Sequence, residues 1–389
     1  MALVELGLIL HFEKGKKPIS QSDSPADGFL PYVDIEAFET GKIKQYTDGT
    51  KCTPCDDGDI LIVCDGSRSG LVGRAVKGYV GSTLAKISAD CLSDQYLFHF
   101  VQGKYALLNT KKKGTGTPHL NQELLKQQKL IVPSYSEQER IVARIEELFS
   151  QLDAGVETLK KTKAQLAVYR QAVLKEAFNS AEVDCKMLPI AEILTKTRKG
   201  MSTGPFGTMI KKSDHKATGV PMLGIENIGR GQFVDGNKIY VTAEKADELK
   251  AFSLRAGDII ISRSGTVGEI CAVPERAEGS LLSTNLMRVS LDNTMIRSDY
   301  FIALFQSKGI VLDQIKELCK GSTRDFLNQT ILKQIVFPVP SMEKQEEIVS
   351  IIEARMSVCD SIEQTVDIAL QQAEVMRQSI LKQAFKGEL

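Results

Sequence analysis

Residues 114–122 read Gly-Thr-Gly-Thr-Pro-His-Leu-Asn-Gln, and residues 321–329 read Gly-Ser-Thr-Arg-Asp-Phe-Leu-Asn-Gln. They open two segments, 114–179 and 321–386, which align without a gap at an offset of 207 and are identical at 27 of 66 positions. Chance would give about 4 identities, so the chain contains an internal repeat. Each copy then passes through Val-Pro-Ser into a stretch with the pattern of one long helix. The repeat therefore predicts two similar halves, each ending in a long helix.

Both long segments carry apolar residues in a heptad pattern. Such residues sustained at this spacing for about six heptads predict a coiled coil. Because a single helix of this composition would be weak alone, we expect the two copies to pair with each other, running antiparallel. The predicted seam consists of Ile141, Ile145, Leu148, Leu152, Leu159, Leu166, Tyr169 and Val173 in the first copy, and Ile348, Ile352, Ile362, Val366, Met376 and Ile380 in the second.

Two alternative signals mark the start of the first long helix. Ser136-Glu-Gln-Glu139 has the form of a capping box, and Ser134-Tyr-Ser-Glu137 offers an earlier start. The second copy has Ser341 but Lys344 in place of the reciprocal acid, so its cap is only half made. A helix over Ser136–Phe178 would be ~64 Å long at ~1.5 Å per residue.

The globular parts before each helix repeat more loosely. Short apolar runs at 29–35, 59–64 and 96–100 have strand signals and are separated by turn residues. The offset between matching positions rises from 185 at Lys14 and Lys199 to 204 at Tyr96 and Tyr300, and then stays at 207. Insertions are thus tolerated in the domains and not in the helices, which indicates that helix length is used as a ruler.

These patterns predict an α+β chain with two globular α/β domains in a pseudo-twofold arrangement, separated by an antiparallel coiled coil of two long helices. The predicted boundaries are 1–133 for the first domain, 134–180 for the first helix, 181–340 for the second domain and 341–389 for the second helix.

Composition indicates an ordinary soluble protein. The chain has 389 residues, of which 42% are hydrophobic and 25% charged, and no apolar run approaches the ~20 residues that span a bilayer. The apolar N-terminus lacks the basic start of a signal peptide, so we expect a cytoplasmic protein without membrane contact. The net charge is zero, which argues against nucleic-acid binding, but residues 1–133 sum to +1, 181–340 to +3 and 341–389 to −4.

Catalytic and metal signals are weak. The eight cysteines are scattered like reduced thiols, and Cys52-Thr-Pro-Cys55 has zinc-knuckle spacing without a second pair, so no metal site is expected. The four histidines show no recognisable carboxylate or nucleophile partner. Phosphate-loop and amino-methylation motifs are missing, and an Asp258 to Glu269 nuclease pair lacks its lysine. The sequence therefore predicts no catalytic residue and no cofactor in this chain.

Three motifs carry a resemblance to a known family. The helix starts Pro-Ser-x-x-Glu-Gln (133–138) and Pro-Ser-Met-Glu-Lys-Gln (340–345), and the helix ends Arg-Gln-x-x-Leu-Lys-x-Ala-Phe (170–178 and 377–385), closely resemble the specificity subunit of type I restriction-modification systems. The phrase Gly-Asp-Ile-Ile-Ile-Ser-Arg-Ser-Gly-Thr-Val-Gly (257–268) resembles the second target recognition domain of that family.

The resemblance implies a DNA-binding, non-catalytic subunit of a restriction system. Each domain would read one half of a bipartite site in double-stranded DNA, and the helices would fix the gap and dock two copies of the modification (methyltransferase) subunit. Restriction subunits are the further partners that it implies. S-adenosylmethionine, ATP and magnesium would then belong to the partner subunits of this DNA methylation complex.

Base reading needs loop side chains in a groove, with flanking lysine or arginine on phosphates. Arg263 and Arg324 are the strongest predictions because their loops recur in both halves. The candidates are Lys14, Lys16, Lys17, Ser67, Arg68, Arg74, Lys111, Lys112, Lys113, Thr115 and Thr117 in the first domain, and Arg198, Lys199, Lys211, Lys212, Arg230, Arg263, Ser264, Ser322, Thr323 and Arg324 in the second.

Two other functions remain open from the residues. A coiled-coil scaffold or adaptor, whose two domains bind ligands and no DNA, would suit the zero net charge and the acidic last helix. A self-sufficient DNA methylase would require cofactor motifs, and their absence argues against it.

Overall fold

The computed structural model describes residues 2–114, 116, 118–179, 185–206, 209–265, 267–307, 309–319 and 327–389. The chain forms two compact units. Unit 1 comprises Met1–Lys160 and Asp367–Leu389, and unit 2 comprises Lys161–Val366. Each long helix is therefore divided between the two units.

Unit 1 contains three sheets, with strand orders β2-β9-β6-β7, β4-β3-β8-β5 and β1-β10. The strands are β1 (Ala2–Glu5), β2 (Leu10–Lys14), β3 (Leu30–Val33), β4 (Tyr46–Thr47), β5 (Pro54–Cys55), β6 (Ile60–Val63), β7 (Val72–Arg74), β8 (Gly78–Val80), β9 (Leu84–Ala89) and β10 (Lys129–Val132). The helices are α1 (Ile35–Thr40), α2 (Asp94–Gln102), α3 (Tyr105–Thr110), α4 (Gln122–Lys126) and the first part of α5 (Tyr135–Asn179).

Unit 2 repeats this plan with the strand orders β12-β20-β17-β18, β16-β13-β19 and β11-β21, and adds the hairpin β14-β15. The strands are β11 (Lys186–Pro189), β12 (Met201–Thr203), β13 (Val220–Leu223), β14 (Ile228–Gly229), β15 (Gln232–Phe233), β16 (Ile239–Val241), β17 (Ile259–Ser262), β18 (Ile270–Ala272), β19 (Leu281–Leu282), β20 (Leu286–Val289) and β21 (Val336–Val339). The helices are α6 (Ala243–Glu248), α7 (Ser298–Gln306), α8 (Val311–Cys319), α9 (Gln329–Gln334) and α10 (Met342–Ala384), whose last part belongs to unit 1.

The central strand of each larger sheet is apolar on both faces. Every residue of β6 is buried; Ile60 and Ile62 pack in one core cluster, while Leu61 and Val63 pack in another. In β17 of unit 2, Ile259 and Ile261 pack in one cluster and Ile260 in another, while the fourth residue, Ser262, is buried but polar. A continuous apolar run is typical of a strand covered on both sides, so the strand predicted at 59–64 is confirmed.

The predicted strand at 96–100 is wrong, because this run forms helix α2. Ser93 caps the helix, with its hydroxyl accepting a hydrogen bond from the backbone N–H of Tyr96 (3.3 Å). The buried residues Tyr96, Leu97, Phe100 and Val101 follow helical and not strand spacing. A short apolar run does not by itself distinguish a strand from a helix. Here the cap by Ser93 favours the helix.

The long helices confirm the fold class predicted from the repeat. Helix α5 starts one residue after Ser134, whose carbonyl accepts from the N–H groups of Glu137 and Gln138, so the earlier of the two predicted starts is the observed one. In the second copy, the Ser341 hydroxyl accepts from the N–H of Lys344 (3.3 Å).

Within each unit the segments of the two helices run antiparallel. In unit 2, Arg355 binds Glu176 at 2.6 Å and Asp360 binds Arg170 at 2.7 Å, so one helix advances as the other returns. In unit 1, Arg377 forms an ion pair with Asp153, which is the counterpart of the Arg170–Asp360 pair in the repeat. Ion pairs between exposed side chains add little stability.

The predicted seam residues divide by position. Ile141, Ile145, Val173, Ile348, Ile352, Val366 and Ile380 are buried, while Leu148, Leu152, Leu159 and Leu166 are half-buried. Tyr169, Ile362 and Met376 are 49%, 40% and 54% exposed, respectively. Two paired helices cover only one side of the apolar stripe on each helix, so seam residues on its other side stay exposed unless a domain covers them.

Candidate nucleic-acid interface

Several of the predicted residues of the first domain meet in one group of loops in unit 1. Lys14 ends strand β2 and pairs with Asp65 at 3.1 Å, and the same carboxylate lies 2.7 Å from Nδ1 of His119. Lys112 donates to the backbone carbonyl of Ser67 at 2.9 Å. We call the group Lys14, Asp65, Ser67, Lys112, Lys113 and His119 the loop cluster of unit 1.

The backbone holds the loop cluster together. Asp65 and Lys113 both form β-bridges with His119, and Asn109 donates to the carbonyls of Ser67 (2.8 Å) and Ser69 (3.1 Å). Lys14 therefore pairs with the largely covered Asp65 carboxylate, while Lys112 binds the Ser67 carbonyl and Lys113 is exposed next to it. This arrangement suits contact with phosphate oxygens, which accept hydrogen bonds from lysine without reading sequence.

Sequence reasoning missed Asp65 and His119. The expectation that the histidines lack carboxylate partners is wrong, since His119 contacts Asp65 and Nε2 of His11 lies 3.0 Å from Asp90. The residues of the His119–Asp65 contact are 54 positions apart. The β-bridge between their backbones brings Asp65 and His119 together. No local sequence pattern predicts this bridge.

Two predicted arginines of unit 1 lie in structural contacts. Arg68 forms an ion pair with Glu39. Arg74 donates to the carbonyl of Gly58 at 2.9 Å and stacks 4.4 Å over the ring of Phe98. Arg74 is half-buried, and burial lowers the pKa of its guanidinium. Lys16, Lys17 and Lys111 are exposed, while Thr115 and Thr117 lie outside the described residues.

In unit 2, Arg198 is held by a buried network. It pairs with Asp258, whose carboxylate also accepts from the Ser290 hydroxyl and the Arg255 N–H, both at 2.8 Å. Buried Arg288 donates to the carbonyl of Lys199 at 2.9 Å, which fixes the loop before β12. Asp258 stands at one end of β17 and Glu269 next to the other, so the two do not form a carboxylate pair.

Arg263 occupies the place that Cys64 holds in unit 1. The Arg263 N–H donates to the carbonyl of Asn285, just before β20, as the Cys64 N–H donates to Thr83, just before β9. The carbonyl of each accepts from the N–H of a leucine, Leu327 for Arg263 and Leu120 for Cys64. The Arg263 side chain is buried, and it donates to the carbonyls of Leu327 and Thr284, both at 3.2 Å. Burial lowers its pKa. This position favours a structural role in place of the predicted DNA contact.

Arg230 lies at the tip of the β14-β15 hairpin. Arg230 and Gly231 both have positive φ, 47° and 81°, as a tight two-residue turn requires. The guanidinium binds Glu363 of α10 at 2.8 Å and lowers the pKa of that carboxyl, an effect to which Arg170 also contributes. Arg230, which was predicted to contact DNA, instead attaches the β14-β15 hairpin to helix α10.

The remaining candidates of unit 2 are surface residues or lie outside the description. Lys199, Lys211 and Lys212 are exposed, and the Ser264 hydroxyl lies 3.4 Å from the Asn285 side chain. Ser322, Thr323 and Arg324 lie outside the described residues.

The cysteine pair near β5 has the properties of ordinary thiols. Cys55 is buried, and burial raises its pKa to about 11. Cys52 is half-exposed. Among the described residues, no group of three or more His, Cys, Asp or Glu side chains is arranged to hold a metal ion.

The profile of the family described as "Type I restriction modification DNA specificity domain" matches residues 1–167 and again residues 192–372. The chain belongs to this family. The two matches correspond to the two halves of the internal repeat. Membership makes the chain a DNA-recognition subunit of a type I restriction-modification system, and it does not favour a scaffold without a DNA role.

Relatives extend over most of the chain. The MjaVIII specificity subunit of Methanocaldococcus jannaschii is 23% identical over 402 residues, covering 100% of this chain and 92% of its own length. The EcoBI specificity subunit of Escherichia coli is 25% identical over 352 residues, covering 85% and 73%.

Solved structures share the fold at low identity. A chain described under "complex assembly and conformational transition of the type I R-M system" has a TM-score of 0.75 at 18% identity and covers 100% of this chain and 98% of its own. The HsdS subunit of Thermoanaerobacter tengcongensis has a TM-score of 0.52 at 18% identity, with coverages of 100% and 97%. Among the described residues of the chain, no helix is both long enough and apolar enough to cross a membrane.

Proposed function

We propose that each globular domain reads one half of a bipartite site in double-stranded DNA, and that the long helices set the number of unread base pairs between the halves. The observation that carries this proposal is the repeated strand order, β2-β9-β6-β7 in unit 1 and β12-β20-β17-β18 in unit 2. In both units a separate strand then leads into a long helix. Two similar recognition domains, each followed by its own long helix, suit a DNA site with two halves.

The dimensions of the helices fit this role. Helix α5 has 45 residues and α10 has 43. At ~1.5 Å per residue they are ~68 and ~64 Å long, which corresponds to about 20 base pairs of duplex. Half-sites about one turn of DNA apart lie well within that length. The loop cluster of unit 1 supplies cations of the kind that contact the flanking phosphates.

The long helices also dock the modification subunit, of which the complex contains two copies. Apolar side chains on α10 support this step, since Val358, Ile362, Val375 and Met376 are all at least 40% exposed. Exposed apolar side chains, such as Val358 and Ile362 one turn apart in unit 2 and Val375 and Met376 in unit 1, favour contact with a partner protein. Restriction subunits join the same cytoplasmic complex.

Catalysis belongs to those partner subunits, which carry S-adenosylmethionine, ATP and magnesium. The chain itself contributes recognition and spacing. Its most suggestive carboxylate, Asp258, supports this division because it is buried against Arg198 and Ser290 and accepts hydrogen bonds as a structural group.

The test is to co-express the chain with its cognate methylase and sequence the methylated sites. We expect a bipartite motif with a single gap length. Exchanging residues 14–110 for those of a relative should change one half of the motif, and exchanging residues 199–319 should change the other half. The absence of a bipartite motif, or a motif unchanged by either exchange, would contradict the proposal.

A further inference from the structure

A buried glutamine joins the first turn of α5 to the globular domain of unit 1. The side chain of Gln138 is fully buried. Its Nε2 donates to the carbonyls of Cys91 (2.8 Å) and Pro133 (3.1 Å), and its Oε1 accepts from the N–H of Ser93 (2.7 Å). Both amide protons and the amide oxygen are therefore bound to backbone groups.

Gln345 makes the same three contacts in unit 2. Its Nε2 donates to the carbonyls of Met295 (2.9 Å) and Pro340 (3.0 Å), and its Oε1 accepts from the N–H of Arg297 (2.9 Å). Gln345 is also fully buried. Two sites in one chain that share burial, partners and distances indicate a common task and not an accident of packing.

A tyrosine closes each arrangement from the other side. The hydroxyl of Tyr96 in α2 donates to the carbonyl of Ile131 at 3.1 Å, and Tyr300 in α7 donates to Pro338 at 3.1 Å. Ser93 is the N-cap of α2. The glutamine thus ties the long helix to the start of the short helix, while the tyrosine ties the short helix to the strand before the long one.

These contacts lie where the chain turns from a strand into the long helix. Within the described residues, β10 pairs with β1 alone and β21 with β11 alone, so the strands leading into the long helices stand outside the larger sheets. A proline at the corner, Pro133 or Pro340, passes the chain directly into the helix. Neutral buried hydrogen bonds are directional and insensitive to salt, unlike the surface ion pairs further along.

We propose that Gln138 and Gln345 are positioning residues, each fixing the direction in which a long helix leaves its recognition domain and thereby holding the gap of the DNA site to one length. This role rests on the proposed function, since it concerns the gap between half-sites. Tyr96 and Tyr300 support the same joint. A gap that is one base pair too long or too short displaces a half-site by ~3.4 Å. A fixed helix direction is needed to discriminate against such a site.

The test uses the full complex with the methylase and DNA substrates whose gap is the native length or one base pair shorter or longer. We expect Gln138→Ala and Gln345→Ala to lower the ratio of methylation at the native gap to that at the neighbouring gaps by about tenfold, equivalent to ~1.4 kcal/mol. The bases read in each half-site should not change. Tyr96→Phe, which removes one hydroxyl, should shift the ratio in the same direction and serves if a glutamine variant does not fold.

Val142→Ala is the matched control. Val142 lies one turn further along α5, is buried in the core cluster of unit 1, and touches none of the three hydrogen bonds. It should lower methylation at all gaps alike. An unchanged ratio in folded Gln138→Ala, or an equal change of ratio in Val142→Ala, overturns the positioning role. A wild-type complex that methylates no bipartite site overturns the proposed function instead.

Discussion

Replacing Arg263 by methionine separates a structural arginine from a DNA contact. The variant keeps the length of the side chain and loses the hydrogen bonds to Leu327 and Thr284. Hydrogen bonds from a charged donor contribute ~1.5–3 kcal/mol each. The desolvation that lowers the pKa of Arg263 offsets part of this contribution. We therefore expect unit 2 to lose ~2–4 kcal/mol of unfolding free energy.

The assay is urea unfolding of the full chain with hydrogen exchange read out on β20, an inner strand that starts next to the Arg263 loop. Arg276→Met is the matched control, because Arg276 pairs with Asp235 on the surface of the same unit. An exposed pair contributes little to stability because solvent screens it, so the control should barely shift the midpoint. DNA binding is measured in parallel over a range of salt concentrations.

The two roles of Arg263 give opposite results. A structural arginine lowers stability and leaves the salt dependence of binding per folded molecule unchanged. A phosphate contact would leave stability unchanged and lower the slope of log K against log salt by ~0.9. The second outcome would refute the assignment made from burial.

The remaining predictions concern the helices, the loop cluster and pH. Ile145→Ala should cost ~2–5 kcal/mol by thermal or urea unfolding because Ile145 is fully buried, whereas Ile362→Ala, at 40% exposure, should cost under about 1; equal losses would contradict the observed seam. Lys112→Ala should weaken binding to all DNA sequences alike and lower the salt slope by ~0.9, and a loss confined to one sequence would instead indicate base reading. Burial lowers the pKa of His99 below 6.5, so the unfolded chain takes up the proton more readily, and stability should fall as pH drops below about 6.5; a His99→Gln variant should flatten that decline, and an identical pH profile would contradict it.

Much of the fold could be predicted because the repeat carries two kinds of pattern. The apolar run of β6 and the heptads of α5 and α10 are local in sequence, and both become the elements expected of them. The run at 96–100 was mispredicted because five apolar or aromatic residues suit either state, and the cap by Ser93 decides for a helix. The heptad pattern predicted which residues form the apolar stripe of each helix, but not which of them are buried. Met376, for example, belongs to the stripe and is exposed.

The candidate site was harder to predict because charge alone does not state where a side chain points. Arg263 and Arg230 stand in loop sequence typical of DNA contacts, yet one is buried against carbonyls and the other binds Glu363. Gln138 and Gln345 end the matching motifs at 133–138 and 340–345, and the sequence states no contact for either. Their identity was the available signal, because a buried polar residue repeated in both copies indicates satisfied hydrogen bonds.

The account centres on helix length as the ruler between two readers, and changing that length tests it most directly. Four residues inserted near Thr162 in α5 and near Ala369 in α10 lengthen each helix by ~6 Å, against ~3.4 Å per base pair. Sequencing of the sites methylated by the complex should then show the same two half-sites separated by a gap about one to two base pairs longer. An unchanged gap with both half-sites intact would contradict the ruler.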